Sequence, residues 1–191
     1  MVGTLRITGN AEADRLLDQS GTALLIGMLA DQQVPMEWAF RAPATLADRL
    51  GGLDAGRIAT MDVEEFVAVC CAKPAIHRYP AAIGRRIHAM CEQLVEDYDG
   101  SGSNVWADVT SGDDLSSRLA ALPGFGAEKT MIFVALLAKQ FDVAPPGWER
   151  AAGPFADATP RSAADIDGPD SLARVREWKK AQKAAGKTKQ E

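Results

Sequence analysis

Leu122-Pro123-Gly124-Phe125-Gly126 is the stretch on which the reading of this chain turns. One helix arrives over Leu115 to Leu122. A second leaves through Ala127 to Lys139, carrying Thr130, Ile132, Phe133, Val134, Leu136 and Leu137. Two glycines between them let the backbone turn sharply and take positive φ. They also leave the amides of Gly124 and Gly126, and those that open the second helix, uncovered by side chains. Bare N–H groups at the positive end of a helix dipole attract anions, and a DNA phosphate is the obvious one. The same five residues would also serve as a plain turn between helices. The rest of the chain has to decide.

The 191 residues suffice for one domain or two small lobes sharing a core, with 47% hydrophobic and 25% charged residues as in ordinary globular chains. No stretch approaches the ~20 uninterrupted apolar residues of a membrane span, and no basic-then-apolar leader opens the chain. A cytoplasmic protein is expected, with no membrane partner. The net charge of −5 argues against general nucleic-acid affinity, so any DNA-binding face must be a local patch. Cys70, Cys71 and Cys91 have no metal-ligand spacing, since helical neighbours such as Cys70 and Cys71 cannot both face one ion. With only His77 and His88 beside them, no metal and no cofactor is expected.

Helical periodicity dominates, and no period-two pattern persists beyond about five residues, so the class is all-α. Leu5-Ile7 is a candidate short strand. Asn10 can cap a helix from Ala11 to about Asp18, and Ser20 one from Ala23 to about Asp31. That second helix is apolar nearly all round and belongs at a domain centre. It ends in Asp31-Gln32-Gln33-Val34-Pro35, where the two glutamines either close a solvated helix end or aim donors into a groove. Helices are expected over Met36–Phe40 and Thr45–Leu50, with a capping pattern at Asp54 and a further helix over Thr60–Val69. Residues 66 to 91 hold no Asp or Glu but carry Lys73, His77, Arg78, Arg85, Arg86 and His88, the one basic stretch of an acidic chain. The helix beyond Tyr79-Pro80 runs to Tyr98. Val105–Val109 reads as a link, and Asp113 or Asp114 as the cap of the helix leading to Leu122. Consecutive prolines make Phe141 to Arg150 a stiff loop, followed by a short helix or capped turn around Ala151 and Phe155. The last helix, about Ser171 to Ala185, starts from Ser162 or Asp170. Arg174, Arg176, Lys179, Lys180, Lys183, Lys187 and Lys189 make its end basic, with a frayed tail over Gly186–Glu191.

Taken in order, these parts resemble the helix-hairpin-helix DNA glycosylase superfamily of base-excision repair, in its endonuclease III-like form. Leu24-Leu25-Ile26-Gly27-Met28-Leu29-Ala30-Asp31-Gln32 is similar to the buried first-lobe helix ending in a base-replacing Gln. Arg78 to Asp99 resembles the long helix before the hairpin, and Leu122 to Gly126 the hairpin itself. Ala144-Pro145-Pro146-Gly147-Trp148 resembles the Gly/Pro loop. The likeness spans about Ser20 to Gly153, two thirds of the chain. It implies a two-lobed helical fold with an interlobe cleft, divided as residues 1–153 (hairpin 115–139) and a C-terminal extension, 154–191.

The resemblance further implies a monomeric enzyme at the bacterial nucleoid, acting on double-stranded DNA with a damaged or mismatched base. Such an enzyme extrudes the base, plugs the hole and holds the bent backbone. On that pattern Gly124, Phe125, Gly126, Lys129, Thr130 and Arg78 contact DNA, and Gln32 or Gln33 fills the void. Trp38, Phe40, Tyr79 or Trp148 are available to stack on the extruded base. The family's catalytic Asp position falls on Pro145 or Pro146. Glu149, which would open the next helix, is the preferred replacement, with Asp142 the alternative. The Lys of bifunctional members falls on Glu128, one residue before Lys129, and one residue turns a helical side chain by about 100°. A monofunctional hydrolase without an iron–sulfur cluster is therefore expected, with a catalytically inactive module that binds distorted DNA as the second reading.

Overall fold

Cap residues set most of the helix boundaries. The computed structural model describes residues 3–188 and 190, so Lys189 and Glu191 of the expected basic tail lie outside the described residues. Among them eleven α-helices follow in order: α1 (Ala11–Gln19), α2 (Gly21–Ala30), α3 (Met36–Leu50), α4 (Ala55–Thr60), α5 (Val63–Cys71), α6 (Pro80–Tyr98), α7 (Asn104–Ala107), α8 (Gly112–Ala120), α9 (Ala127–Phe141), α10 (Trp148–Ala152) and α11 (Pro169–Ala184). The side chains of Asn10, Ser20, Asp54 and Asp62 accept from first-turn amides of α1, α2, α4 and α5, satisfying donors that each helix start leaves open. The all-α class holds among the described residues.

Several boundaries differ from the sequence reading. Leu5-Ile7 forms no strand; Leu5 and Ile7 are fully buried and Arg6 is exposed, with the amides of Ile7 and Thr8 donating to Asp14 Oδ1 instead of to a neighbouring strand. α3 runs unbroken through Pro43, where two helices were expected. A mid-helix proline costs about 3 kcal/mol, and burial of Pro43 between buried Phe40 and Leu46 offsets it. Thr60–Val69 divides into α4 and α5 because Asp62 caps a fresh start. Val105–Val109 contains the short α7. Ser111, not Asp113 or Asp114, caps α8, and Ser162 caps a 3₁₀ turn at Ala163–Asp165 instead of the last helix.

α2 lies at the centre, all ten of its residues buried. Gly27 lets α3 approach, since a Cβ there would stand 2.7 Å from a Phe40 ring carbon. α4 and α5 pack on α6, and α8, α9 and α10 pack together. Phe133 of α9 meets Phe125 edge-on at 5.6 Å and Trp106 at 5.7 Å. The core is one contiguous cluster from Leu5 to Val175, so Phe155, Ala163, Ala164, Ile166 and Val175 of the segment after residue 153 share it. Among the described residues no helix is long and apolar enough to cross a membrane.

Candidate nucleic-acid interface

The bend Leu122–Gly126 turns on Gly124, whose φ of +85° would strain an L side chain. A Cβ at Gly124 would lie 3.3 Å from Leu29 Cγ and 3.8 Å from Arg86 Cδ, so the bend rests against the end of α2 and the stem of an α6 arginine. Gly126 is the N-cap of α9. A Cβ there would meet nothing within 4 Å, and no side chain caps the helix. Gly124, Gly126 and Ala127 are exposed. Phe125 and Thr130, both expected on the DNA face, are buried, so their side chains belong to the core. The Phe125 amide is also used internally, donating to Leu122 O at 3.1 Å.

Lys129 ties this bend to the glutamine loop. Its Nζ donates to Met28 O at 2.6 Å and Leu29 O at 2.7 Å, placing a cation at the negative end of α2. Gln32 Nε2 donates to the same Leu29 O at 3.0 Å, and Gln32 Oε1 accepts from Arg86 Nη1 at 3.4 Å. Gln32 is thus held back against the protein. Gln33 is exposed, with left-handed φ of +57°. The hairpin, the glutamine loop and Arg86 form one surface.

A row of rings borders that surface. His77 Nε2 donates to Gln32 O at 2.9 Å while its Nδ1 accepts from the Tyr79 amide at 3.0 Å. Because a carbonyl only accepts and an amide N–H only donates, the pair selects the neutral Nε2–H tautomer. The ring centroid of Trp38 lies 6.4 Å from that of buried His77, and that of Tyr79 lies 6.1 Å from it. Trp38 and Tyr79 are 39% and 46% exposed. Arg78 stands over the Tyr79 ring at 5.4 Å. Of the other candidate stackers, Phe40 is fully buried and Trp148 is half-buried against the core.

The basic stretch is only partly turned to this use. Arg85 is held by both carboxylate oxygens of Glu64, at 2.7 and 2.8 Å, and His88 is buried against Met61 O. Arg78 and Arg86 are exposed and have no carboxylate partner among the described residues.

The two carboxylates lie elsewhere. Asp142 caps the far end of α9, about 22 Å along its axis from the bend. Glu149 opens α10, where the preceding loop docks on the start of α8: Gly112 N–H donates to Pro146 O at 2.9 Å, and Arg150 pairs with Asp113. From there α10 runs along α9, its far end at Gly153 lying beside Met131 Sδ. Both carboxylates are exposed, and neither lines any of the five cavities described. Among the described residues no three His, Cys, Asp or Glu side chains converge to hold a metal ion.

Sequence reasoning did not single out Arg86, which touches both the bend and Gln32, although the acid-free stretch was its signal. Nothing local marked Lys129 as a clasp. No family model matches the chain, and no curated protein or solved structure is significantly similar to it.

Proposed function

We propose that the protein is a base-excision-repair protein of the two-lobed helix-hairpin-helix glycosylase type, a monomer acting on damaged or mismatched duplex DNA at the bacterial nucleoid. The carrying observation is the exposed, uncapped α9 start at Gly124–Gly126, clasped by Lys129 to the loop bearing Gln32 and Gln33. Backbone amides there hold phosphates without reading sequence, Arg86 and Arg78 add charge, and Gln33, the exposed glutamine, enters the space left by an extruded base. In this reading Glu149, at the start of α10, is the carboxylate that activates water or stabilises the positively charged sugar during hydrolysis of the N-glycosidic bond. No lysine Schiff base forms, because the Lys129 ammonium is engaged by the α2 carbonyls.

That Glu149 lines none of the five cavities described favours a second reading, in which the same face recognises distorted DNA without cutting it. A panel of damaged-base duplexes, each treated with alkali after incubation, separates the two. Alkali-dependent strand breaks lost in Glu149→Gln support hydrolysis; duplex binding without breaks supports the binder. For the interface itself, Gly126→Val is the clean probe. The site is open and the φ of −79° is ordinary, so the cost to stability is about 1 kcal/mol or less. Covering the α9 amides should nevertheless weaken binding to an abasic or gapped duplex by about tenfold. Unchanged affinity would leave the hairpin with a structural role alone.

A further inference from the structure

The C-terminal helix lies beside the glutamine loop. Val175 and Ser171 are buried, Arg161 covers the Trp178 ring at 5.3 Å, Arg176 pairs with Glu37, and Lys179 Nζ lies 3.0 Å from Met36 Sδ. These contacts fix the rotation of α11. Gln32, Gln33, Met36, Glu37, Arg176 and Lys179 line a shared groove of about 340 Å³.

At about 100° per residue, Arg176, Lys179, Lys180 and Lys183 fall within an arc of about 100°, while Asp170 and Glu177 fall together about 100–120° from Arg176. Arg174 falls about 160° from Arg176, beside Asp170, so the acidic side carries one cation while the side of Arg176 to Lys183 carries neither of the helix's acids. Within the groove, the carboxylates are Asp31 and Glu37, and Arg176 neutralises the second. Lys180 and Lys183 are exposed. From Arg176 to Lys183 the helix rises about 10 Å, the axial length of about three phosphates of one strand.

We infer that this cationic side of α11 is a second nucleic-acid contact, holding the sugar–phosphate backbone of duplex DNA beside the Gln32–Gln33 loop. The inference rests on the duplex-binding reading above and extends its footprint to a segment that the family resemblance does not cover. An acidic chain with net charge −5 must concentrate its positive charge to bind a polyanion. Two cationic margins beside an exposed glutamine form such a concentration. Phosphate contacts of this kind add affinity and salt dependence, not sequence preference.

The test is titration of the full chain with an abasic duplex from low to moderate salt. Both lysines are exposed and alanine is a good helix former, so Lys180→Ala/Lys183→Ala should keep the wild-type melting curve. It should bind about tenfold more weakly and flatten the plot of log affinity against log salt by about 2, near 0.9 per lost contact. Lys180→Arg/Lys183→Arg should restore both. Wild-type affinity and slope in the alanine variant, with binding still lost in Gly126→Val, overturn the inference and leave the duplex reading standing. Absence of any duplex binding by the wild-type protein overturns both. Retention on phosphatidylglycerol vesicles but not on duplex overturns the inference in favour of an anionic surface.

Discussion

Gln33 has a left-handed backbone that costs a residue with a Cβ about 1–2 kcal/mol. Replacing it with glycine relieves that strain, so Gln33→Gly should melt no lower than the wild type while binding an abasic duplex more weakly; intact affinity would remove Gln33 from the interface. Lys129 has the opposite profile. Lys129→Met removes the cation from the Met28 and Leu29 carbonyls and should cost about 1–2 kcal/mol in urea unfolding, with no borohydride-trapped adduct in either protein. The thiols provide a test independent of DNA. Burial pushes Cys70 and Cys91 from the ordinary 9.0 up to about 12, the neighbouring Cys71 adding to the effect at Cys70. One thiol, exposed Cys71, should react promptly near neutral pH, and all three in urea. A raised thiol pKa favours the folded state below pH 9.0, and that stability is lost as pH climbs from there toward 12. Stability should accordingly drop by about 1–2 kcal/mol per buried thiol near pH 10.5, with a flatter profile in Cys91→Ala. Gln33 and Lys129 were both legible as interface candidates, because the end of an apolar helix and the start of a helix after a glycine bend leave local signatures; the bonding of Lys129 was not. A bond to carbonyls about a hundred positions away leaves none.

The helices themselves were largely legible, because capping and apolar periodicity are local. α2 reads as central from composition alone and is buried throughout. α3 did not read as one helix, because a proline rule is local while the packing that overrules it around Phe40 and Leu46 is not. The same competition decides a substitution. Gly27→Ala gains about 1 kcal/mol of helix propensity, but its methyl would stand 2.7 Å from the fully buried Phe40 ring. Overpacking of this kind costs about 1–3 kcal/mol, so the variant should be net destabilised in urea. A rise in its midpoint would mean that α2 and α3 have room to separate. The start of α8 shows the limit of spacing arguments: Ser111, Asp113 and Asp114 can all cap, and docking of Pro146 on Gly112 agrees with a helix beginning at Gly112.

For the whole molecule the decisive quantity is where charge collects. If the bend amides, Arg78, Arg86 and the α11 lysines all hold phosphates, as proposed, log affinity for duplex should fall against log salt with a slope of about −3 to −5. A slope near zero would be incompatible with phosphate contacts. The residues after 153 share one core with those before it, and the apolar residues near Phe155 and Ile166 carry no mark in the sequence of where they will pack. The clasp of Lys129 on α2 has a consequence for assembly. Its partners are 100 and 101 positions earlier, so the contact closes a chain segment far longer than any hairpin and pays its entropy late in folding. A fragment ending before Ala127 would present the terminal carbonyls of α2 to water, and its glutamine loop would lose its footing. The bend and the glutamine loop are therefore inherited together, and neither can be transplanted to another scaffold alone.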